Sequence, residues 1–160
     1  MKKLLNLFKP PVAKEKITDP EEVDKEYRYW RIRLFLSIYM GYTLYYFSRK
    51  SFTSIKLIMG PDLGLDKAEL GLITTTLSLA YGVSKFCSGM LGDRSNARYF
   101  MSFGLILTGI FNLFFGMSSS LLAFAFFWAC NGIFQGWGWP SSARLMTHWF
   151  SREERGTWWG

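Results

Sequence analysis

The stretch LFLSIYMGYTLYYFSRKSFTSIKLIM, residues Leu34–Met59, decides the fold class of this chain. Its apolar part, from Leu34 to Phe47, is shorter than the roughly 20 residues that a helix needs to cross a bilayer. A membrane span must therefore continue past Arg49, which places that residue in the span's interior. A cation at such depth costs roughly 2.5–3.5 kcal/mol on insertion scales. We therefore expect Arg49 to face a cavity and to bind a ligand there.

A second stretch also predicts a membrane protein. Between Arg98 and Arg144 lie 45 residues without Asp, Glu, Lys or Arg. One helix of that length would measure about 68 Å, about twice a hydrocarbon core of about 30 Å, so the chain must fold back at the turn signal Gly116–Ser120. A soluble bundle would carry charge on the outer face of each helix. The sequence therefore predicts an all-α membrane protein with four transmembrane helices.

The four predicted spans divide the chain into three parts. The spans are expected at residues 32–59, 70–91, 99–115 and 121–143. Gly60-Pro61 is expected to end the first span, and Asp66 with Glu69 has the spacing of a capping box before the second. Residues 1–31 are expected to form a cytoplasmic leader with little structure of its own, residues 32–143 the four-span part, and residues 144–160 a cytoplasmic loop with the truncated start of a fifth span.

The distribution of cations predicts the orientation of the chain. Lys and Arg concentrate in the leader, in the loop at 93–98 and in the segment 144–155. The positive-inside rule places these parts, and hence the N-terminus, in the cytoplasm. This topology accounts for the formal net charge of +7. Nucleic-acid binding would require a basic patch on a folded surface, and the sequence indicates none.

Helical spacing gathers the candidate site residues. Tyr42, Tyr46 and Arg49 follow i, i+4, i+7 and share one helix face, as do Tyr81 and Lys85 at i, i+4. No acid lies within a predicted span to neutralise these cations. Because arginine offers a planar fork and lysine a point charge, the cavity suits an anionic ligand such as a phosphate or a carboxylate. Two alternatives remain. The tyrosines could serve only in packing, and Lys85 could extend to the membrane interface instead of the cavity.

Other polar residues are weaker candidates. Lys50 points about 100° away from Arg49 and could serve another partner. A third stripe of candidate cavity residues consists of Asn131, Gln135 and Trp139. Two glycine pairs are expected to let helices approach closely, Gly132 with Gly136 and Gly82 with Gly89. The sequence has no signature of a metal site, a cofactor site or covalent catalysis.

The segment Gly89–Arg98, GMLGDRSNAR, resembles the loop motif G-x-L-x-D-R-x-G-R-R between spans two and three of the major facilitator superfamily. Asn96 and Ala97 replace the motif's glycine and first arginine, as is typical of the organophosphate:phosphate antiporters. Further segments resemble this branch: Gly41-Tyr42, Tyr46–Phe52, Ala80–Phe86, Asp93–Asn96, Phe134–Pro140 and Glu154–Gly156. Within the branch, Ser95–Met101 and Phe134–Gly138 look most like the hexose-phosphate transporters and sensors.

The resemblance implies a function and assigns roles. It implies a twelve-helix fold in the bacterial inner membrane, of which this chain is the N-terminal part, and no enzymatic activity. The arginine matching Arg49 binds phosphate in that family, and the residues matching Tyr42, Tyr46, Tyr81 and Lys85 line or tune the cavity. Four residues of the loop motif are expected to stabilise one closed state at the cytoplasmic side: Gly89, Asp93, Arg94 and Arg98.

Three functions are consistent with these residues. The first is the uptake of a sugar phosphate, expected to be hexose 6-phosphate, in exchange for inorganic phosphate by alternating access. The second is a transporter-like membrane sensor that binds external sugar phosphate and signals to a histidine kinase. The third is a small four-span structural protein without a ligand.

Overall fold

The computed structural model describes residues 16–93 and 95–159, and of Asp93 and Trp159 it describes the backbone alone. These residues form six helices and no strand, which confirms the prediction of an all-α chain. The helices are α1 Pro20–Leu63, α2 Lys67–Asp93, α3 Ala97–Gly116, α4 Leu121–Gln135, α5 Gly138–Trp149 and α6 Arg152–Trp159.

The first helix is longer than the sequence pattern predicts, and residues 20–31 are helical rather than irregular. Asp19 caps the helix by accepting a hydrogen bond from the Glu21 backbone at 3.2 Å, and Pro20 occupies its first turn. Both are favourable at a helix start. The helix also continues through Pro61 to Leu63 and is capped by Gly64, whose φ of +67° glycine adopts without steric cost. The predicted end at Gly60-Pro61 was therefore wrong.

The predicted capping box before α2 and the predicted turn before α4 are both confirmed. Asp66 and Glu69 form a reciprocal capping box at the start of α2, with backbone-to-carboxylate distances of 2.9 and 2.7 Å. Ser120 caps α4 by accepting a hydrogen bond from the Ala123 backbone at 3.3 Å. Phe115 then packs on Phe124 and Phe111 on Phe127, with ring centroids 5.1 and 6.4 Å apart, so the chain reverses direction between Gly116 and Leu121, as the sequence predicts.

The predicted fourth span is broken into two helices. A continuous helix would need an N–H at Pro140 to bond the Gly136 carbonyl, and proline has none. Instead, the Gly136 carbonyl accepts a hydrogen bond from Ser88 Oγ at 2.9 Å, and the Ile133 carbonyl accepts one from Ser84 Oγ. The helix therefore ends at Gln135 and a new one starts at Gly138.

Residues 144–159, expected to form a loop and the start of a span, are mostly helical, because α5 extends to Trp149 and α6 follows.

Among the described residues, α3 is the one helix long and apolar enough to cross a membrane by length and composition. The cations Arg49, Lys50 and Lys56 make α1 more polar, and the break leaves α4 with 15 residues. The count of four spans therefore stays a prediction.

Close packing joins α2 to α4 and α5. A Cβ placed on Gly132 would lie 2.7 Å from the Leu77 carbonyl oxygen, and one on Gly136 would lie 2.6 Å from Ser84 Oγ. The prediction that Gly132 and Gly136 let two helices approach closely is confirmed. It was wrong for Gly82 and Gly89, where a Cβ would meet no atom within 4 Å. A core of apolar side chains closes one end of the bundle, with Phe52, Ile73, Leu77, Phe115, Phe124 and Trp128 as members.

The rotation of α1 about its axis is fixed by contacts with α3. The buried Tyr45 hydroxyl donates to the Met101 carbonyl at 2.9 Å. One turn further on, Asn112 of α3 bonds Ser48 and accepts a hydrogen bond from Ser51 at 3.3 Å. Tyr45 and Ser48 thus point toward α3. The neighbouring face of α1, with Arg49, is thereby directed toward α2 and α4.

Candidate functional site

The candidate site lies where α1, α2 and α4 converge on Arg49. The guanidinium carbon of Arg49 lies 4.2 Å from the centroid of the Tyr81 ring and 5.3 Å from that of Tyr46. Both distances are within the range of a cation–π interaction. Arg49 is half-buried, so the residue is shielded from solvent in part and remains accessible in part.

A second cation completes one side of the site. The exposed Lys85 places its Nζ 5.7 Å from the Tyr81 ring and 5.3 Å from the Trp139 ring. Tyr42 links this group to α1, because its ring centroid lies 6.1 Å from that of Trp139 and 5.4 Å from that of Tyr46. Four aromatic rings thus surround two cations that come from different helices.

Polar contacts fix Arg49 from the α4 side. Its Nε donates to Gln135 Oε1 at 2.7 Å, and Gln135 Nε2 donates to Asn131 Oδ1 at 2.5 Å. Asn131 is fully buried and Gln135 is 2% exposed. These two residues therefore support Arg49 from behind rather than line an open cavity. Trp139 belongs to α5, beyond the helix break, so the predicted stripe is not on one continuous helix.

The site carries positive charge without a matching acid. The described residues form two ion pairs, Arg28 with Asp24 and Arg31 with Glu154, and neither involves Arg49 or Lys85. The first pair lies within the start of α1, and the second joins the start of α1 to α6. The phenol and amide groups around Arg49 provide dipoles but no negative charge. An anion is the ligand that would compensate this arrangement.

Other candidates lie apart from this cluster. Lys50 is exposed, and no described contact joins it to Arg49 or Lys85. Gly89 is half-buried on α2. The exposed Arg98, whose backbone N–H is capped by Asn96 at 3.3 Å, lines a separate cavity of about 480 Å³ together with Arg33. The side chain of Asp93 and all of Arg94 lie outside the described residues.

Two basic contacts were missed by sequence reasoning. Arg144 Nη1 donates to the carbonyls of Gly92 and Ser95, at 2.6 and 3.0 Å, where α2 ends. Arg31 Nη2 lies 2.8 Å from Glu154 Oε1. Each contact joins segments about 50 or more residues apart, so no local pattern points to it. In the sequence, both arginines served only as positive charges that indicate the topology.

The fold and this aromatic-lined cluster fit a membrane protein with an uncompensated cationic site. The sequence profile of the Major Facilitator Superfamily matches residues 38–160, and the chain belongs to this superfamily. Its members that resemble this chain are integral membrane proteins.

Individual relatives are more specific. The chain is 57% identical over 153 residues to the probable hexose phosphate transport protein of Chlamydia trachomatis, covering 96% of this chain and 34% of that protein. It is 51% identical over 156 residues to the membrane sensor protein UhpC of Escherichia coli, with 98% and 36% covered. It is 42% identical over 158 residues to the glycerol-3-phosphate transporter of Bacillus subtilis, with 96% and 35% covered. The chain thus spans about a third of the length of these relatives.

Proposed function

We propose that this chain forms the phosphate-binding part of a transporter that exchanges a sugar phosphate, hexose 6-phosphate, for inorganic phosphate by alternating access. The uncompensated charge of Arg49 carries the proposal. Among its described hydrogen bonds, the guanidinium uses Nε alone, which leaves the N–H groups of both terminal nitrogens for a ligand. A planar guanidinium binds phosphate oxygens in pairs, with charge-assisted hydrogen bonds.

The relatives support the phosphoryl group as the shared element of recognition. Their names include hexose phosphate and glycerol-3-phosphate transporters and a phosphoglycerate transporter. These compounds differ in their carbon skeletons and share the phosphate. A site made of Arg49 and Lys85, with Tyr42, Tyr46 and Tyr81 around them, recognises that common group.

Exchange follows from the charge of the site. Reorienting an empty cationic cavity across a low-dielectric membrane is unfavourable, because nothing neutralises its charge. Inorganic phosphate and sugar phosphate each neutralise it, so the loaded protein reorients and the empty one does so slowly. The loop motif with Gly89, Asp93, Arg94 and Arg98 is proposed to stabilise one closed state at the cytoplasmic face.

The proposed setting is a bacterial inner membrane with the N-terminus in the cytoplasm. Four spans of this chain would form part of a twelve-helix fold, whose remaining helices supply the rest of the site. The positive-inside distribution of Lys and Arg supports the orientation. The Arg31–Glu154 ion pair is consistent with it, because it joins two of the cation-rich segments.

The substitution Arg49→Lys tests this function in the full-length protein. Lysine keeps the charge and loses the planar fork. We expect phosphate exchange in proteoliposomes to fall at least about tenfold, since one charge-assisted hydrogen bond contributes about 1.5–3 kcal/mol. Lys67→Gln, which changes an exposed cation at the start of α2, is the control and should retain exchange. Normal exchange by Arg49→Lys would contradict the assignment.

A transporter-like sensor is the second candidate function, because the chain is 51% identical to a membrane sensor protein. The same site would then bind external sugar phosphate and report it to a histidine kinase. Binding of hexose 6-phosphate without uptake into proteoliposomes would favour the sensor. Exchange of internal phosphate for external hexose 6-phosphate would favour the transporter.

A further inference from the structure

A buried pair of amides stands behind Arg49. Gln135 and Asn131, one turn apart on α4, are 2% and 0% exposed. They connect in series to the arginine: Arg49 Nε to Gln135 Oε1 at 2.7 Å, then Gln135 Nε2 to Asn131 Oδ1 at 2.5 Å. Their burial excludes them from the accessible surface of the site, so any effect on a ligand must pass through Arg49.

The chemistry of arginine fixes the direction of this series. A guanidinium has donors only, so the acceptor oxygen of Gln135 must face Arg49. The amide nitrogen of Gln135 then faces Asn131 and requires an acceptor there. Turning either amide over would bring two donors together. This orientation turns Asn131 Nδ2 away from Gln135, and among the described residues that nitrogen is buried without a hydrogen-bond partner.

The series determines which edge of the guanidinium remains available. Arginine can grip an oxyanion side-on, through Nε and one terminal nitrogen, or end-on, through both terminal nitrogens. Gln135 occupies Nε and thereby excludes the side-on fork. The Tyr81 and Tyr46 rings, 4.2 and 5.3 Å from the guanidinium carbon, restrict its plane. Because Gln135 is neutral, it holds Arg49 without cancelling the charge that attracts the ligand.

We propose that Gln135, oriented by Asn131, is a positioning residue that holds Arg49 by Nε and presents its end-on fork to a phosphoryl group. The proposal rests on the proposed function and deepens it. The series orients the fork in advance, so that less rotational freedom is lost when the anion binds. Gln135 itself touches no ligand, which separates its role from that of Arg49.

A double-mutant cycle in the full-length protein tests the proposal, with inorganic phosphate as the probe and its Kd as the readout. Gln135→Leu removes the acceptor and should weaken binding about tenfold in the Arg49 background. In the Arg49→Lys background, which has no Nε to hold, the same change should alter Kd less than about twofold. Equal losses in both backgrounds would show a structural role or a direct ligand contact and would overturn the proposal.

Gln135→Glu gives a second measurement that does not depend on a lost side chain. The carboxylate has the shape of the amide and pairs with Arg49, and Asn131 can turn its amide so that its unpaired Nδ2 donates to the second carboxylate oxygen. Folding should therefore be retained while the site's charge is compensated. Arg49 is the charged group in contact with this side chain, and the titratable groups around Arg49 are Tyr42 and Tyr46 from α1 and Tyr81 and Lys85 from α2. We expect at least a thirtyfold rise in Kd, and an unchanged Kd would overturn the proposal.

The outcomes also separate this inference from the proposed function. If Arg49→Lys leaves phosphate binding unchanged, the assignment of Arg49 fails and the positioning role fails with it. If Arg49→Lys weakens binding while Gln135→Leu shows no coupling to it, the proposed function stands and the positioning role alone is overturned.

Discussion

Arg31 on α1 and Glu154 on α6 form an ion pair with an N···O distance of 2.8 Å. Three aromatic rings surround the arginine, with Tyr27, Phe150 and Trp158 centroids at 5.6, 4.6 and 5.3 Å from its guanidinium carbon. The Tyr27 hydroxyl adds a hydrogen bond to the Trp149 carbonyl at 2.7 Å. The start of α1 thus holds α6 against the bundle.

The docking of α6 should depend on pH. The hydrogen bond from Arg31, followed by those within the Ser151 cap, holds the pKa of Glu154 below its usual value. A lowered carboxyl pKa contributes stability that is present above the usual pKa and is lost as pH falls through the lowered one. We expect amide hydrogen exchange in α6 to accelerate below about pH 4.5, after correction for the intrinsic pH dependence of exchange.

Substitution should reproduce the acid effect at neutral pH. Glu154→Gln removes the charge partner of Arg31 and should accelerate exchange in α6. Glu153→Gln, at the exposed neighbouring position, is the matched control and should leave it unchanged. Equal exchange rates in the two variants would show that the ion pair does not hold α6.

Lys85 and Lys50 should respond differently to loss of charge. Lys85 lies beside the Tyr81 ring of the site, whereas Lys50 is exposed on α1 and has no described contact with it. Lys85→Gln should weaken inorganic phosphate binding by about tenfold, because it removes one of two uncompensated cations. Lys50→Gln should change it by less than about twofold. A larger effect at Lys50 would place the anion on the other side of α1.

Gly132→Ala should destabilise the bundle. Its Cβ would lie 2.7 Å from the Leu77 carbonyl oxygen, so α4 would have to move away from α2. Overpacking of this kind costs about 1–3 kcal/mol, which thermal unfolding in detergent would detect as a lower Tm. Gly82→Ala is the matched control on α2, where a Cβ meets nothing within 4 Å, and it should leave Tm unchanged or raise it.

Arg144 should stabilise the carboxyl end of α2. It donates to the carbonyls of Gly92 and Ser95, and a cation there also interacts favourably with the helix dipole. Arg144→Gln should lower stability by about 1–3 kcal/mol. Arg152→Gln, a change at an exposed arginine, serves as the control for charge. Equal Tm values for the two variants would contradict this role.

Local chemistry was readable from the sequence, because its causes lie within a few residues. The capping box of Asp66 and Glu69 depends on a spacing of three, and the shared face of Tyr46 and Arg49 on the same spacing. The break after Gln135 was missed, although Pro140 was visible. The position of the break depends on hydrogen bonds from Ser84 and Ser88, which lie on another helix. The sequence around the break does not show these contacts.

The candidate site was partly predictable for the same reason. Charge and spacing selected Arg49, Lys85 and the tyrosines, and the structure brings these side chains together. The burial of Asn131 and Gln135, and the exposure of Lys50, depend on how α1 and α4 are rotated within the bundle. Helical periodicity gives relative directions on one helix and does not fix that rotation.

The hydroxyls of Ser84 and Ser88 have a mechanical consequence. They donate to the Ile133 and Gly136 carbonyls at the carboxyl end of α4, so α2 cannot slide along α4 without breaking both bonds. Any rearrangement of the bundle must therefore move α2 and α4 together as a rigid body, by rotation rather than by sliding of one helix along the other. Lys85, next to Ser84, would keep its height relative to Gln135 throughout such a movement.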